Sequence, residues 1–226
     1  IPSADLAYTV SQSFVKEFKE IYKVDFGLVR NITLLQEEKS YPETGKYGSG
    51  YWVFLGAVNR GRGIEEFLEI LPSTNRKLVI LGTGDRFSDI KKMVADRSLE
   101  HLVVFCGKVK PQEAREIMHY AWAGINLLTH EGLSYYYSIA NKFFDYLHAG
   151  IPQICIRFPE YELLNKEHEV AVLCSLNIKS LQAAAEIISN PEVQQKLRKE
   201  TLIARQTWNW QKESENLIGM YKTLFS

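Results

Sequence analysis

Six short apolar runs constrain what this chain can fold into: "YWVFLGAV", "KLVILG", "LVVFCG", "AGINLL", "PQICI" and "VAVLC", beginning at residues 51, 77, 102, 123, 152 and 170. Successive starts lie 18 to 29 positions apart. A hairpin needs only a few residues between strands, whereas this spacing leaves room for a crossover helix each time, so the runs read as successive βα units. Nearly every residue within them is apolar, the pattern of strands buried on both faces. The expected fold class is α/β, a doubly wound, Rossmann-like parallel sheet.

Helical patterns fill the gaps. "GIEEFLEIL", "FSDIKKMVADR" and "PQEAREIMHYA" follow the first three runs, the last with Pro111 suited to a first helical turn. Residues 178–190, "PEVQQKLRKETLIARQ" and "WQKESENLIGMYKTLF" then read as three consecutive helices with no strand between them. Such a tail packs across the sheet or onto a neighbouring domain. Residues 1–50 differ: "ADLAYTVS" and "FGLVRNI" read as short strands flanking helical "SFVKEFKEIY", and 36–50, "QEEKSYPETGKYGSG", as a polar linker. The expected division is residues 1–35, the linker 36–50, and a main domain 51–226.

Lys+Arg and Asp+Glu both number 27, so no global field draws the chain to nucleic acid or an anionic membrane, and any anion site must be local. Cys106, Cys155 and Cys174 sit in apolar runs without metal-binding spacing and read as buried thiols of a reducing cytosol. His101, His119, His130, His148 and His168 show no paired ligand spacing either. No metal and no cofactor are expected. No run reaches the roughly 18 apolar residues of a membrane span, and no signal segment opens the sequence. A cytoplasmic protein is expected, and the Ile-Pro opening suggests an excised piece or a processed product.

In open α/β sheets ligands bind beyond the carboxyl ends of the strands. The first such loop, "GAVNRGRG", offers Gly56, Gly61 and Gly63 for close backbone approach, with Asn59, Arg60 and Arg62 beside them. It is neither a Walker loop nor a GxGxxG turn. It reads as an anion cradle or as a flexible turn with solvated arginines. The second, "GTGD", contributes Gly82 and Gly84; the third, "GKVKPQE", contributes Gly107, Lys108 and Val109. The fourth, "THEGLSYYYSIAN", is long for a βα connection, and long loops in compact domains are disproportionately functional. The following helix should start near Ser138 or Asn141, placing Lys142 in its first turn, where a cation opposes the helix dipole unless an anion is bound. Asp145, four residues after Asn141 and on the same face, can accept hydrogen bonds from hydroxyls. Together these features suit a phosphorylated, hydroxyl-bearing ligand such as a nucleotide.

In order and spacing, these segments resemble the C-terminal, donor-binding domain of GT-B glycosyltransferases, especially the retaining group 1 enzymes. "GAVNRGRG" resembles the glycine-rich first loop, "LVILGTGD" the second, "VVFCGKVKPQEAREIMHYAWAGINLL" the base-binding strand and its helix, and "SIANKFFDYLHAGIP" the donor-site helix. "NWQKESENLIGMYKTLF" is similar to the terminal helix that returns to the N-terminal domain. The resemblance implies that Asp145, as the second acid of a paired-acid motif, binds the donor ribose, and that the first acid is replaced by Tyr137. It also implies that Arg62 before Gly63 binds diphosphate, and that Ala57 stands where a second loop arginine belongs, with Arg60 or Lys142 as substitutes. The backbone at 107–109 would hold the base, and Asn141 with Lys142 the diphosphate.

By the same resemblance the partner is a nucleotide-diphosphate sugar. Residues 1–35 would be a remnant of an N-terminal domain that supplies catalytic groups and the acceptor site. Any peripheral membrane association would run through that domain, and the isolated fragment would transfer poorly. No catalytic residue is assigned within this chain. Two other readings stay open: a nucleotide-sugar epimerase of similar two-domain build, and a non-enzymatic α/β regulatory module whose loops bind a protein.

Overall fold

The computed structural model describes residues 3–37 and 39–225. Each apolar run becomes a strand: β3 (Tyr51–Leu55), β4 (Leu78–Leu81), β5 (Val103–Gly107), β6 (Ala121–Asn126), β7 (Gln153–Ile156) and β8 (Ala171–Cys174). All six are parallel, in the order β5-β4-β3-β6-β7-β8. The chain winds outward through β3, β4 and β5, returns to the centre with β6, and winds the other way. The order therefore reverses between β3 and β6, where a crevice opens beyond the carboxyl ends.

Both faces of the sheet are covered, which is why the runs are apolar throughout. Trp52 and Phe54 point into one core with Phe67, Val94 and Leu181. Tyr51 and Val53 point the other way, among Ile117, Met118 and Tyr146. The first face packs against α2 (Ile64–Ile70, continued by a 3-10 turn at Leu71–Thr74), α3 (Phe87–Asp96) and α8 (Ile178–Ser189). The second packs against α4 (Pro111–His119) and α6 (Asn141–His148), with α9 (Pro191–Thr207) and α10 (Trp210–Lys222) ending the described chain. Two helices had no named counterpart in the sequence reading: α5 (Leu133–Tyr137), inside the fourth loop, and α7 (Pro159–Glu167), between β7 and β8.

Residues 8–28 form a small unit of β1 (Tyr8–Thr9), α1 (Gln12–Tyr22) and β2 (Gly27–Leu28), with β1 and β2 paired in parallel. The Ser11 side chain caps α1, and Lys23 in the left-handed region ends it. Buried Glu160 accepts the Gln12 and Ser13 backbone N–H groups at 3.2 and 2.5 Å, anchoring the unit to α7. Residues beyond it are held by α10: Arg30 pairs with Glu213 at 3.1 Å, Asn216 donates to the Leu28 carbonyl, and Gln211 bonds both ways with the Leu35 backbone. Within 39–50, Tyr41 and Tyr47 pack on the second core. Gly45 lies so close to the Tyr120 ring that a Cβ there would overlap it. No helix among the described residues is long and apolar enough to cross a membrane.

Candidate functional site

The crevice at the switch point is bounded by the loop after β3, residues 56–63, and the segment after β6, residues 127–140. The Tyr146 hydroxyl ties its base together: it accepts from Leu55 N at 2.9 Å and reaches the Val53 and Ile125 carbonyls at 3.2 and 3.1 Å. Glycine is required where the loops touch. Gly63, at φ +67°, leaves no room for a Cβ against Leu127, and a Cβ on Gly82, at φ +144°, would overlap the Gly56 carbonyl oxygen.

The first and second loops are stitched into one surface. Val58 N donates to the Thr83 carbonyl, Arg86 N to the Val58 carbonyl, and Asp85 N to Asn59 Oδ1 at 3.3 Å. Gly84 sits against Asn59 and Val58. Asn59 thus works as a clasp between loops. The Gly82 amide donates to the Gly107 carbonyl at 2.8 Å, which draws the third loop alongside. There Val109 is half-buried against the second core, while Lys108 and Arg60 are exposed.

Two cations converge under the first loop. Lys142 lies in the first turn of α6, almost wholly buried, with its ammonium 3.9 Å from the centre of the Phe54 ring and no hydrogen-bond partner among the described residues. Arg62 is half-buried, its guanidinium 5.1 Å from the Tyr135 ring and its Nε buried without a hydrogen-bond partner. Burial first, and the Arg62 charge second, bring the Lys142 ammonium down from 10.5 to about 7. Thr129 Oγ1, beside Gly61, is likewise buried without a partner.

Of the two starts the sequence left open, the helix takes Asn141, with Ala140 at the N-cap, while Ser138 ends α5. Tyr161 on α7 holds that start by accepting the Ala140 N–H at 2.9 Å. Asn141 and Asp145 share a face, turned toward residues 31–33 and away from Lys142. Asn31 donates to Asn141 Oδ1 at 3.1 Å, and the Thr33 hydroxyl to Asp145 Oδ1 at 2.9 Å. Burial raises the Asp145 acid above its ordinary value; the Thr33 bond and the Arg115 charge act against that.

The structure therefore gathers Gly56, Asn59, Gly82, Gly84 and Gly107 into one backbone surface and sets Arg62 beside Lys142. Asn141 and Asp145 sit on a separate face. Sequence reasoning missed Asn31 and Thr33, which lie more than a hundred residues from their partners, and the hydroxyls of Tyr146 and Tyr161. Nothing local marks these four. Among the described residues no group of three His, Cys, Asp or Glu side chains is placed to hold a metal ion.

A model of the family "Glycosyl transferases group 1" matches residues 50–190, more than half the chain and the whole of this crevice. The chain belongs to that family. No curated protein matches it. Among solved structures, this group 1 chain is similar to Anabaena HepE in complex with UDP, with TM-score 0.83, 13% identity, and 97% of this chain on 64% of that one. Sucrose-phosphate synthase from Thermosynechococcus elongatus gives TM-score 0.81 at 18% identity, 99% on 59%. A point mutant of S. aureus TarM, in complex with fondaparinux, alpha-GlcNAc-glycerol and UDP, gives 0.70 at 13%, 96% on 43%. The chain thus spans between 43% and 64% of these proteins' lengths. The α/β sheet with its helices on both faces matches the Rossmann-like C-terminal domain of the GT-B fold, as the sequence led us to expect.

Proposed function

We propose that the chain binds the nucleoside diphosphate of a nucleotide-sugar donor, for retaining transfer of the sugar to an acceptor held by a further domain. The observation that carries this reading is the buried Lys142 ammonium, without a hydrogen-bond partner and next to Arg62. Two cations in a low-dielectric site repel unless an anion lies between them, and a diphosphate supplies the matching charge. The glycines at 61 and 63 let the backbone of the first loop approach it, and the α6 N-terminus favours it.

In this reading Arg62 and Lys142 hold the diphosphate, with Asn141 at the helix start and Arg60 at the rim. Asp145 accepts ribose hydroxyls alongside Thr33, and the backbone of 107–109 meets the base. Tyr137 stands where the family resemblance calls for an acid, edge-on to Phe14 at 6.0 Å between ring centres. The sugar end of the site is then aromatic, formed by Tyr135, Tyr136 and Tyr137. The UDP present in two of the similar structures supports a nucleotide donor, and their greater length supports a further domain.

Titration calorimetry with UDP, GDP, ADP and CDP tests the proposal. Binding of at least one is expected, weakened in Arg62→Ala by about 1.5–3 kcal/mol through loss of a charge-assisted hydrogen bond. A folded Arg62→Ala chain with unchanged affinity would overturn it.

A further inference from the structure

We propose that a cavity on the opposite end of α6 is a second anion site, one that takes a small soluble phosphomonoester. It lies between α4, α9, the end of α6 and residues 33–37, 39 and 41, with a volume of about 260 Å³. His148 brings the last turn of α6 to it. The eight residues of α6 separate it from the crevice by roughly 12 Å. Thr33, which donates to Asp145, also lines it, so the cavity borders the ribose end of the site proposed above, while its cationic end does not depend on that reading.

Two helices turn cationic faces into this cavity, and a third brings His148, which burial lowers from its ordinary value. Arg115 and His119 are one turn apart on α4; Arg198 and Arg205 lie on one face of α9; Lys39 and His148 complete the rim. Glu37 is the acid among the described lining residues. In a chain whose overall charge is zero, this concentration is local and specific. Helix ends explain only part of it. The Arg198 guanidinium donates to the His119 carbonyl at 3.3 Å, answering one orphan acceptor of α4. Arg115 stands in the middle of α4 and makes no hydrogen bond or ion pair among the described residues; Asp145 is the acid that feels its charge.

Burial lowers the Arg198 guanidinium, and burial together with the Arg198 charge lowers His119, so this pair sits desolvated with the imidazole pushed toward its neutral form. A phosphate dianion relieves both effects and matches the planar fork of arginine. Tyr41, Leu35 and Leu202 provide an apolar wall for a short carbon skeleton. The volume falls just below the ~300–1,000 Å³ typical of drug-sized ligands, which fits a small phosphate ester.

The test titrates the chain with inorganic phosphate, glycerol 3-phosphate and glycerol, and sediments it with vesicles containing phosphatidate. Arg62→Ala is run in parallel so that anion binding in the crevice is counted separately. Glycerol 3-phosphate is expected to bind at least tenfold more tightly than glycerol, equally in wild type and Arg62→Ala. Arg115→Gln and Arg198→Gln should each weaken it at least tenfold. Arg115 makes no hydrogen bond among the described residues, so its variant decides the matter if Arg198→Gln does not fold. Absence of binding, indifference to both substitutions, or loss in Arg62→Ala alone would overturn the assignment. Vesicle capture without binding of the soluble ester would also overturn it, moving the phosphate to a lipid.

Discussion

Replacing Lys142 with methionine should stabilise the ligand-free chain. The side chain is one atom shorter but keeps its apolar packing beneath Gly56, while the buried charge disappears. A fall in the lysine from 10.5 to about 7 corresponds to roughly 5 kcal/mol of disfavoured protonation. The ammonium recovers about 1–2 kcal/mol from its position 3.9 Å from the Phe54 ring centre. The net gain expected for Lys142→Met is therefore about 3 kcal/mol below neutral pH.

The pH dependence carries the sign of the effect. With the folded lysine depressed, the penalty is present in full below about 7, fades as pH rises toward 10.5, and is gone above it. Urea denaturation at pH 6, 7 and 9 should show the variant's advantage shrinking by more than half across the series. In the same variant nucleoside diphosphate binding should fall, so that stability and affinity move in opposite directions. A Lys142→Met chain less stable than wild type at pH 6, or an advantage independent of pH, would refute the reasoning.

Three further outcomes are expected. Asp145→Ala should weaken a ribonucleoside diphosphate at least tenfold more than its dideoxyribose counterpart, measured by calorimetry, since only hydroxyl contacts are lost. Gly82→Ala should destabilise the chain by about 3 kcal/mol in denaturant, because the backbone is at φ +144° and the new Cβ meets the Gly56 carbonyl. Glu160→Ala should weaken the docking of α1 by about 2 kcal/mol, read as faster hydrogen exchange at the Gln12 and Ser13 amides while the amides of β3 and β4 stay protected.

The sheet was legible because both of its faces are buried: Trp52 and Phe54 serve one core, Tyr51 and Val53 the other, and the run is apolar whichever face one counts. The helix α7 was not, because it buries only Tyr161, Leu164 and an acid, Glu160, whose role depends on backbone amides at Gln12 and Ser13. At the site, the Asn141 helix start and the shared face of Asn141 and Asp145 followed from local spacing. What spacing cannot carry is the direction in which Lys142 leaves the helix. Its burial comes from Phe54 and Arg62, both on other elements, and the partners of Asp145 and Asn141 come from a segment that the sequence assigned to a different part of the molecule.

The docking of residues 8–30 also sets an order of events during synthesis. Their anchors are Glu160, Glu213 and Asn216, between 147 and 188 positions downstream. The ribosome therefore releases α1 long before these anchors exist. At roughly 5–20 residues per second the wait is on the order of ten seconds or more. Throughout that interval the aromatic side of α1, with Phe14, Phe18 and Tyr22, lacks its Tyr137 contact. The earliest of the described segments to be made is the last to be placed, and a translational pause before α10 would lengthen the time in which it is open to chaperones.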